Sequence, residues 1–164
     1  MNNTDAGTSL KEDITPVLSV LWNISRTSRP ARKYLKSVIL PPLTAEVVKA
    51  KPEAANTLKG RLVSLMTNSV TGDISTMVAE MLYALCKENV GRLVKHTGYG
   101  NAAGLLARRG LMAGGRGQPG NFSSDEESDT EEYKEVRDMV NPISGCIDVP
   151  RVNPLEVTNN EVKR

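Results

Sequence analysis

Aromatic side chains are scarce in this sequence: phenylalanine, tyrosine and tryptophan together make up 4% of its 164 residues. Two cysteines in unrelated contexts give no disulfide framework, so an intracellular, reducing compartment is expected. No apolar run approaches the roughly 18 residues that span a bilayer, and the polar N-terminus has no signal-peptide core. The sequence therefore predicts neither secretion nor a transmembrane segment.

Residue sets that carry covalent catalysis or hold metals are also lacking. His96 is the single histidine and has no cysteine near it in the sequence, so no metal site is predicted. The run GYGNAAG, residues 98–104, is one residue too long for the dinucleotide loop GxGxxG and follows a helix, not a strand. It is interpreted as a tight connection between helices, in which glycines allow positive φ and close packing. A soluble binding module with no catalytic residues and no cofactor is predicted, not an enzyme.

Charge is divided unevenly along the chain. Residues 1–120 carry 16 Lys and Arg against 8 Asp and Glu, a net charge of +8. Residues 121–164 carry 5 against 11, a net charge of −6. This pattern indicates that an acidic tail either folds back onto a basic body or competes with an acidic partner for it.

Apolar residues recur every three or four positions in several segments, which is the period of amphipathic helices. The predicted helices form pairs near residues 14–40, 53–87 and 89–112, and Thr15 with Pro16 marks the first start. This unit length is close to the roughly 40 residues of armadillo and HEAT repeats. The predicted fold is all-α: a disordered lead-in at 1–12, then armadillo/HEAT-like helical repeats over 13–112 that form a partial superhelix.

For three further side chains in these helices, the sequence predicts packing or surface positions and no catalytic role. Trp22 and Tyr34 either pack between the first two helices or lie on an exposed contact surface. Cys86, at the end of a helix, is interpreted as a small apolar residue.

The composition changes beyond Leu111. Four glycines between positions 114 and 120 indicate a flexible hinge, and the acidic run SSDEESDTEEYKE follows it. Such a run cannot bury enough apolar surface to offset the entropy lost on ordering. Residues 113–164 are therefore predicted to be a Gly-rich hinge and an acidic, largely disordered tail.

The tail contains candidate phosphorylation sites. Ser123, Ser124 and Ser128 are each followed by a glutamate three residues later, the pattern favoured by acidophilic kinases of the casein-kinase type. Each phosphate would add roughly −1.5 to −2 charge and three strong acceptor oxygens. The alternative is a solubilising acidic linker that is never modified.

A basic face on the second predicted helix is the candidate receptor for those phosphates. Its members stand at i, i+3, i+4 and i+7 and so share one side of the helix: Arg29, Arg32, Lys33 and Lys36. Guanidinium groups bind phosphate through two parallel hydrogen bonds, and a helix N-terminus also favours anions. A merely solvated basic face remains the main alternative, and a nuclear-import or nucleic-acid patch is a third; no nucleic acid is predicted as a partner.

The same segments resemble the synembryn family, whose members are guanine-nucleotide exchange factors and folding chaperones of heterotrimeric G-protein α subunits (Gα). The most distinctive matching run is KHTGYGNAAGLLARRGLMAGG, because no generic helical repeat requires that order of glycines. Other matching runs are ITPVLSVLWNISR, RPARKYLKSVILPPL, RLVSLMT and SSDEESDTEEYKE. The similarity covers about residues 10–155.

The resemblance implies an armadillo/HEAT-like superhelix whose concave face grips the C-terminal helix of Gα. Such a protein releases GDP, holds the nucleotide-free subunit until GTP enters and assists Gα folding. Phosphorylation of the acidic segment supports both activities; Ser123 and Ser128 match the family's modified positions, and Arg29, Arg32 and Lys33 match its basic helix. The implied location is cytoplasmic, with recruitment to the cell cortex or plasma membrane through Gα.

The chain departs from the family in length. Earlier repeats of the family are absent before Met1, and relatives continue past NPLEVTNNEVKR, so the resemblance places the chain in the C-terminal portion of such a protein. The first helices are then expected to show an open apolar side, because each solenoid repeat buries its face against a neighbour. The alternative function is a helical-repeat scaffold or adaptor module without exchange activity.

Overall fold

The computed structural model describes residues 3–54, 56–68, 72–113 and 129–148, and for residues 3–11 the backbone alone. Six helices form the body within these ranges: α1 (Asn3–Thr27), α2 (Arg29–Ile39), α3 (Leu58–Met66), α4 (Gly72–Leu85), α5 (Val90–Thr97) and α6 (Tyr99–Arg108). Short 3₁₀ turns at Val47–Lys49 and Pro52–Ala54 lie between α2 and α3. No helix in the described ranges is both long enough and apolar enough to cross a membrane.

Side-chain caps explain where several of these helices begin. The Ser28 hydroxyl accepts a hydrogen bond from the Ala31 N–H at 3.4 Å, and Pro30 occupies the first turn of α2. Asn89 caps α5 in the same way, accepting from the Arg92 N–H at 2.9 Å. Such caps satisfy N–H groups that have no partner inside the helix. The predicted all-α body and its helix pairs are confirmed in the described residues.

Helix α1 is longer than the sequence predicted. The predicted disordered lead-in covered residues 1–12, whereas the backbone is helical from Asn3 onward and Pro16 lies inside α1. The sequence interpretation took Pro16 as a first-turn residue, the position where proline costs least. Polar character alone does not prevent a helix, because residues such as Lys11 and Glu12 have good helix propensity.

The core is organised around α4, which packs against α1, α2, α3, α5 and α6. Its residues from Met81 to Leu85 are almost fully buried all around the helix, as expected for a central helix. Leu18 of α1, Leu93 of α5 and Leu106 of α6 complete the same cluster. Cys86 is fully buried within it, which confirms its interpretation as a small apolar residue.

The acidic tail contains ordered structure that the sequence did not predict. Helix α7 (Glu131–Val136) leads through a 3₁₀ turn into a two-stranded antiparallel hairpin, β1 (Val140–Asn141) and β2 (Cys146–Ile147). The prediction of a largely disordered tail over 113–164 is therefore wrong for residues 129–148. Composition averages hid a few well-spaced apolar side chains that pack on the body: Tyr133, Val136, Val140 and Ile147.

Helices α1 and α2 carry several exposed apolar side chains. Val17 and Val20 are each 57% exposed, and Tyr34 and Val38 of α2 are also exposed. Of the two undecided aromatic residues, Trp22 packs against the core and Tyr34 lies on the surface.

Candidate functional site

Residues 129–148, here called the strap, fold back onto the helical body. Asp129 forms an ion pair with Lys95 of α5, in which both side chains are mostly buried. The Thr130 hydroxyl donates to the Leu43 carbonyl and accepts from the Tyr133 N–H at 3.2 Å, so one side chain both anchors the strap and caps α7. Residues 129–148 of the acidic tail therefore fold back on the basic body, which is one of the two arrangements indicated by the charge pattern.

Tyr133 is the main apolar anchor of the strap. Its side chain is 4% exposed and packs in a small cluster with Leu43 and Val48, which precede α3. The Lys95 ammonium lies 4.8 Å from the centre of the Tyr133 ring, within the range of a cation–π contact. Lys95 thus holds the start of the strap through both a carboxylate and an aromatic ring.

The hairpin turn of the strap covers the N-terminus of α6. The Tyr99 N–H donates to the Pro142 carbonyl at 2.8 Å, and the Gly100 N–H donates to the Ile143 carbonyl at 3.0 Å. These amides belong to the first turn of a helix, where the helix itself supplies no acceptor. The strap therefore satisfies donors that would otherwise need water.

Two glycines permit this close approach. Gly98 has φ of 75° and Gly145 has φ of 72°, both in the left-handed region. A Cβ atom on Gly98 would lie 2.9 Å from the Ser144 carbonyl carbon, and one on Gly145 would lie 2.8 Å from the Pro52 ring. The predicted role of glycines in close packing is confirmed at Gly98, although its partner is the strap and not a second helix.

Lys95 belongs to a basic cluster that also includes Lys36 of α2 and Arg92 of α5. Burial lowers the pKa of both lysines, and the like charges of the cluster lower the pKa of each further. Cys86 lies close enough to interact with these charges, but burial raises the pKa of its thiol to about 12. Binding of an anion beside this cluster is favoured, because the negative charge offsets the mutual repulsion of the cations.

The predicted basic face on α2 is divided by the fold. Arg29 and Lys33 are exposed and Lys36 is partly buried. Arg32 is only 4% exposed, and its guanidinium donates to the Ser25 carbonyl of α1 at 2.9 Å. Arg32 therefore joins α2 to the last turns of α1, and the accessible part of the face is Arg29 and Lys33.

The predicted phosphorylation sites Ser123, Ser124 and Ser128 lie outside the described residues. Ser128 nevertheless directly precedes Asp129, whose carboxylate contacts Lys95. Sequence reasoning missed Lys95 and Arg92, although their i, i+3 spacing on α5 was a usable signal. It also missed the spacing of Thr130 and Tyr133, because the acidic residues around them dominated the interpretation.

Two further basic residues, His96 of α5 and Lys59 of α3, are buried. His96 is 2% exposed, and burial, aided by the charges of Lys59, Lys36 and Lys95, lowers its pKa from 6.5 to about 3. Burial also lowers the pKa of Lys59 in α3. Within the described parts of the chain, no three His, Cys, Asp or Glu side chains come together as metal ligands would.

Comparison with known proteins relates this architecture to one family. The family model described as guanine nucleotide exchange factor synembryn (Ric8) matches residues 1–164. The protein named Chaperone Ric-8A in Xenopus tropicalis is 51% identical over 159 residues, which cover 97% of this chain and 29% of that protein. The Gallus gallus protein of the same name is 52% identical over 159 residues, with the same two coverages.

A third relative, Chaperone Ric-8A of Danio rerio, is 49% identical over 159 residues, which are 97% of this chain and 28% of that protein. The chain thus spans less than a third of the length of these relatives. Since the family model matches every residue and the identity is near one half, the chain belongs to the synembryn (Ric8) family.

Proposed function

We propose that the chain takes part in guanine-nucleotide exchange on heterotrimeric G-protein α subunits and in their folding. The observation that carries this proposal is the match of the synembryn family model to residues 1–164. Such a protein works by binding the nucleotide-free form of Gα more tightly than the GDP-bound form, so it moves no covalent bond. It is accordingly a binding protein that accelerates GDP release, not an enzyme with catalytic residues.

The proposed architecture for this activity is a partial armadillo/HEAT-like superhelix. Solenoid repeats stack so that each buries the apolar face of its neighbour. The exposed Val17 and Val20 of α1, together with Tyr34 and Val38 of α2, are what an unstacked repeat face would show. This surface supports stacking of further helices of the same kind on α1 and α2.

The proposed location follows from the proposed partner. The chain is expected in the cytoplasm and is recruited to the cell cortex or plasma membrane by Gα. Removal of Gα from cells is then expected to leave the chain diffuse, as seen by fluorescence microscopy of a tagged copy. Cortical signal that persists without Gα would contradict recruitment by this partner.

A GDP-release assay tests the proposed function. The full chain, added in stoichiometric amount to purified Gα loaded with labelled GDP, is expected to raise the release rate several-fold over the intrinsic rate. A full-length relative such as the Gallus gallus protein serves as the positive control. If the relative raises the rate and this chain leaves it unchanged, the alternative holds, a helical-repeat scaffold or adaptor without exchange activity.

We further propose that an acidophilic, casein-kinase-type kinase modifies Ser123, Ser124 and Ser128 and that the phosphates dock on the body. Ser128 directly precedes Asp129, which contacts Lys95, so we expect a phosphate on Ser128 to be within reach of Lys95 and of the neighbouring charges of Lys36 and Arg92. Ser123 lies six residues before Asp129, a reach of about 20 Å in extended chain. Arg29 and Lys33 lie within about 10 Å of Lys36 along α2, so they are accessible to this second phosphate.

Phosphorylation is therefore expected to stabilise the strap on the body. Each docked phosphate is expected to raise the free energy of unfolding by about 1–2 kcal/mol, because charge-assisted hydrogen bonds are stronger than neutral ones. In Lys95→Gln the gain from Ser128 should disappear while the gain from Ser123 remains, and Lys33→Gln should reduce only the gain from Ser123. The measurement is denaturant unfolding at low salt. If phosphorylation of Ser128 stabilises Lys95→Gln as much as Lys33→Gln, and phosphorylation of Ser123 does the same, these assignments are contradicted.

A further inference from the structure

The strap makes the kinds of contact that a bound peptide makes. The Tyr133 side chain packs in an apolar seat formed by Leu43 and Val48. The Asp129 carboxylate forms an ion pair with Lys95. Two backbone carbonyls of the hairpin turn accept from the first amides of α6. These body groups, with Pro52 and Gly98 beneath the turn, are here called the strap site.

The strap site is separate from the main core. The large hydrophobic cluster around α4 contains no strap residue, whereas Tyr133 belongs to a second, smaller cluster with Leu43 and Val48. The body can therefore keep its core when the strap leaves. Segments with few buried apolar contacts open at lower free energy than the core does.

The strap site also has a defined chemical preference. Lys95 forms an ion pair with the Asp129 carboxylate, and the charges of Lys36 and Arg92 act in the same direction, so an acidic ligand is favoured over a neutral one. The Thr130 hydroxyl donates a hydrogen bond to the Leu43 carbonyl and accepts one from the Tyr133 amide. The Tyr133 ring, three residues later, packs with Leu43 and Val48 and contacts the Lys95 ammonium.

We propose that the strap site is a docking surface for an acidic segment in which threonine or serine is followed three residues later by tyrosine. The chain's own strap occupies this surface in cis and blocks it, and a partner segment of the same chemistry binds by displacing the strap. The strap is thus an autoinhibitory element. This inference is independent of exchange on Gα, since neither the site nor its test requires a G protein.

Release of the strap without damage to the body is the key to a test. In Gly145→Ala the new Cβ atom collides with Pro52 and with the backbone of Gly98, at 2.8 and 2.9 Å. Gly110→Ala is the matched control, because Gly110 has a similar φ of 68° but nothing lies within 4 Å of its Cβ position. Both variants carry the same backbone strain, so a difference between them reports the collision with the strap site.

The probe is a fluorescent peptide with the sequence of residues 129–148, titrated with the full chain under reducing conditions while anisotropy is measured. The peptide is expected to bind Gly145→Ala at least about tenfold more tightly than the unaltered chain or Gly110→Ala, because only the first leaves the site open. A peptide with alanine in place of Tyr133 is expected to lose most of this binding. Equal affinity for all three chains would overturn the proposal.

A second variant tests the proposal in case Gly145→Ala does not fold. Tyr133→Ala in the full chain removes the anchor of the strap at a different contact and leaves the main core untouched. It is expected to bind the unaltered peptide as Gly145→Ala does. Failure of the peptide to bind Tyr133→Ala, when circular dichroism shows that its body is folded, would also overturn the proposal.

Discussion

Acidification from pH 7.5 to pH 5 is expected to lower the free energy of unfolding by about 2 kcal/mol through His96 alone. Burial, with the nearby charges of Lys59, Lys36 and Lys95, lowers the pKa of this side chain from 6.5 to about 3. Between these values the unfolded chain binds a proton that the folded chain does not. The stability is therefore complete above pH 6.5 and is lost progressively as the pH falls towards 3.

The matched variant for this effect is His96→Gln, which has no titrating group. Its absolute stability is expected to differ from that of the unaltered chain, so the comparison is made on the slope of unfolding free energy against pH. Urea unfolding between pH 7.5 and 5 is the measurement, because carboxylates remain mostly ionised over this range. If the variant retains the full slope, the acid sensitivity belongs to another group.

Arg32→Glu is expected to lower the free energy of unfolding by about 3–5 kcal/mol. The guanidinium of Arg32 is buried and donates to the Ser25 carbonyl at 2.9 Å. Glutamate at this position would bring a buried negative charge against a carbonyl oxygen that has lost its donor. The junction between α1 and α2 should therefore be the first part of the body to open.

Lys33→Glu is the control for Arg32→Glu. It reverses the same charge on the same helix, but Lys33 is exposed, and surface substitutions usually change stability by about 0.5 kcal/mol or less. Thermal and urea unfolding of the two variants should differ clearly. Similar losses in both would mean that net charge, and not the buried contact of Arg32, determines the effect.

The contrast between these residues shows what the sequence could predict. Periodic apolar residues predicted the helices of the body, since burial on one face imposes that period. The same periodicity placed Arg29, Arg32 and Lys33 on one side of α2, but it could not tell which of them α1 would cover. That depends on how two helices cross, which is a tertiary property.

The strap illustrates a different limit. Its acidic composition argued against order, and that argument treats a segment as an average. Order in residues 129–148 depends instead on particular contacts, above all Tyr133 in its apolar seat and the turn of the hairpin on α6. The sequence predicted that Gly98 allows close packing. It could not predict the partner, because Ser144, which approaches Gly98, lies more than 40 residues away in the chain.

Amide hydrogen exchange at Tyr99 and Gly100 tests most directly whether the acidic strap is docked on the basic body. Amides in the first turn of a helix have no acceptor within the helix, so protection there has to come from the Pro142 and Ile143 carbonyls. With the strap docked, exchange at Gly100 is expected to be at least about tenfold slower than at Gly91, which holds the equivalent position in α5. Exchange at the same rate at both amides would contradict a docked strap.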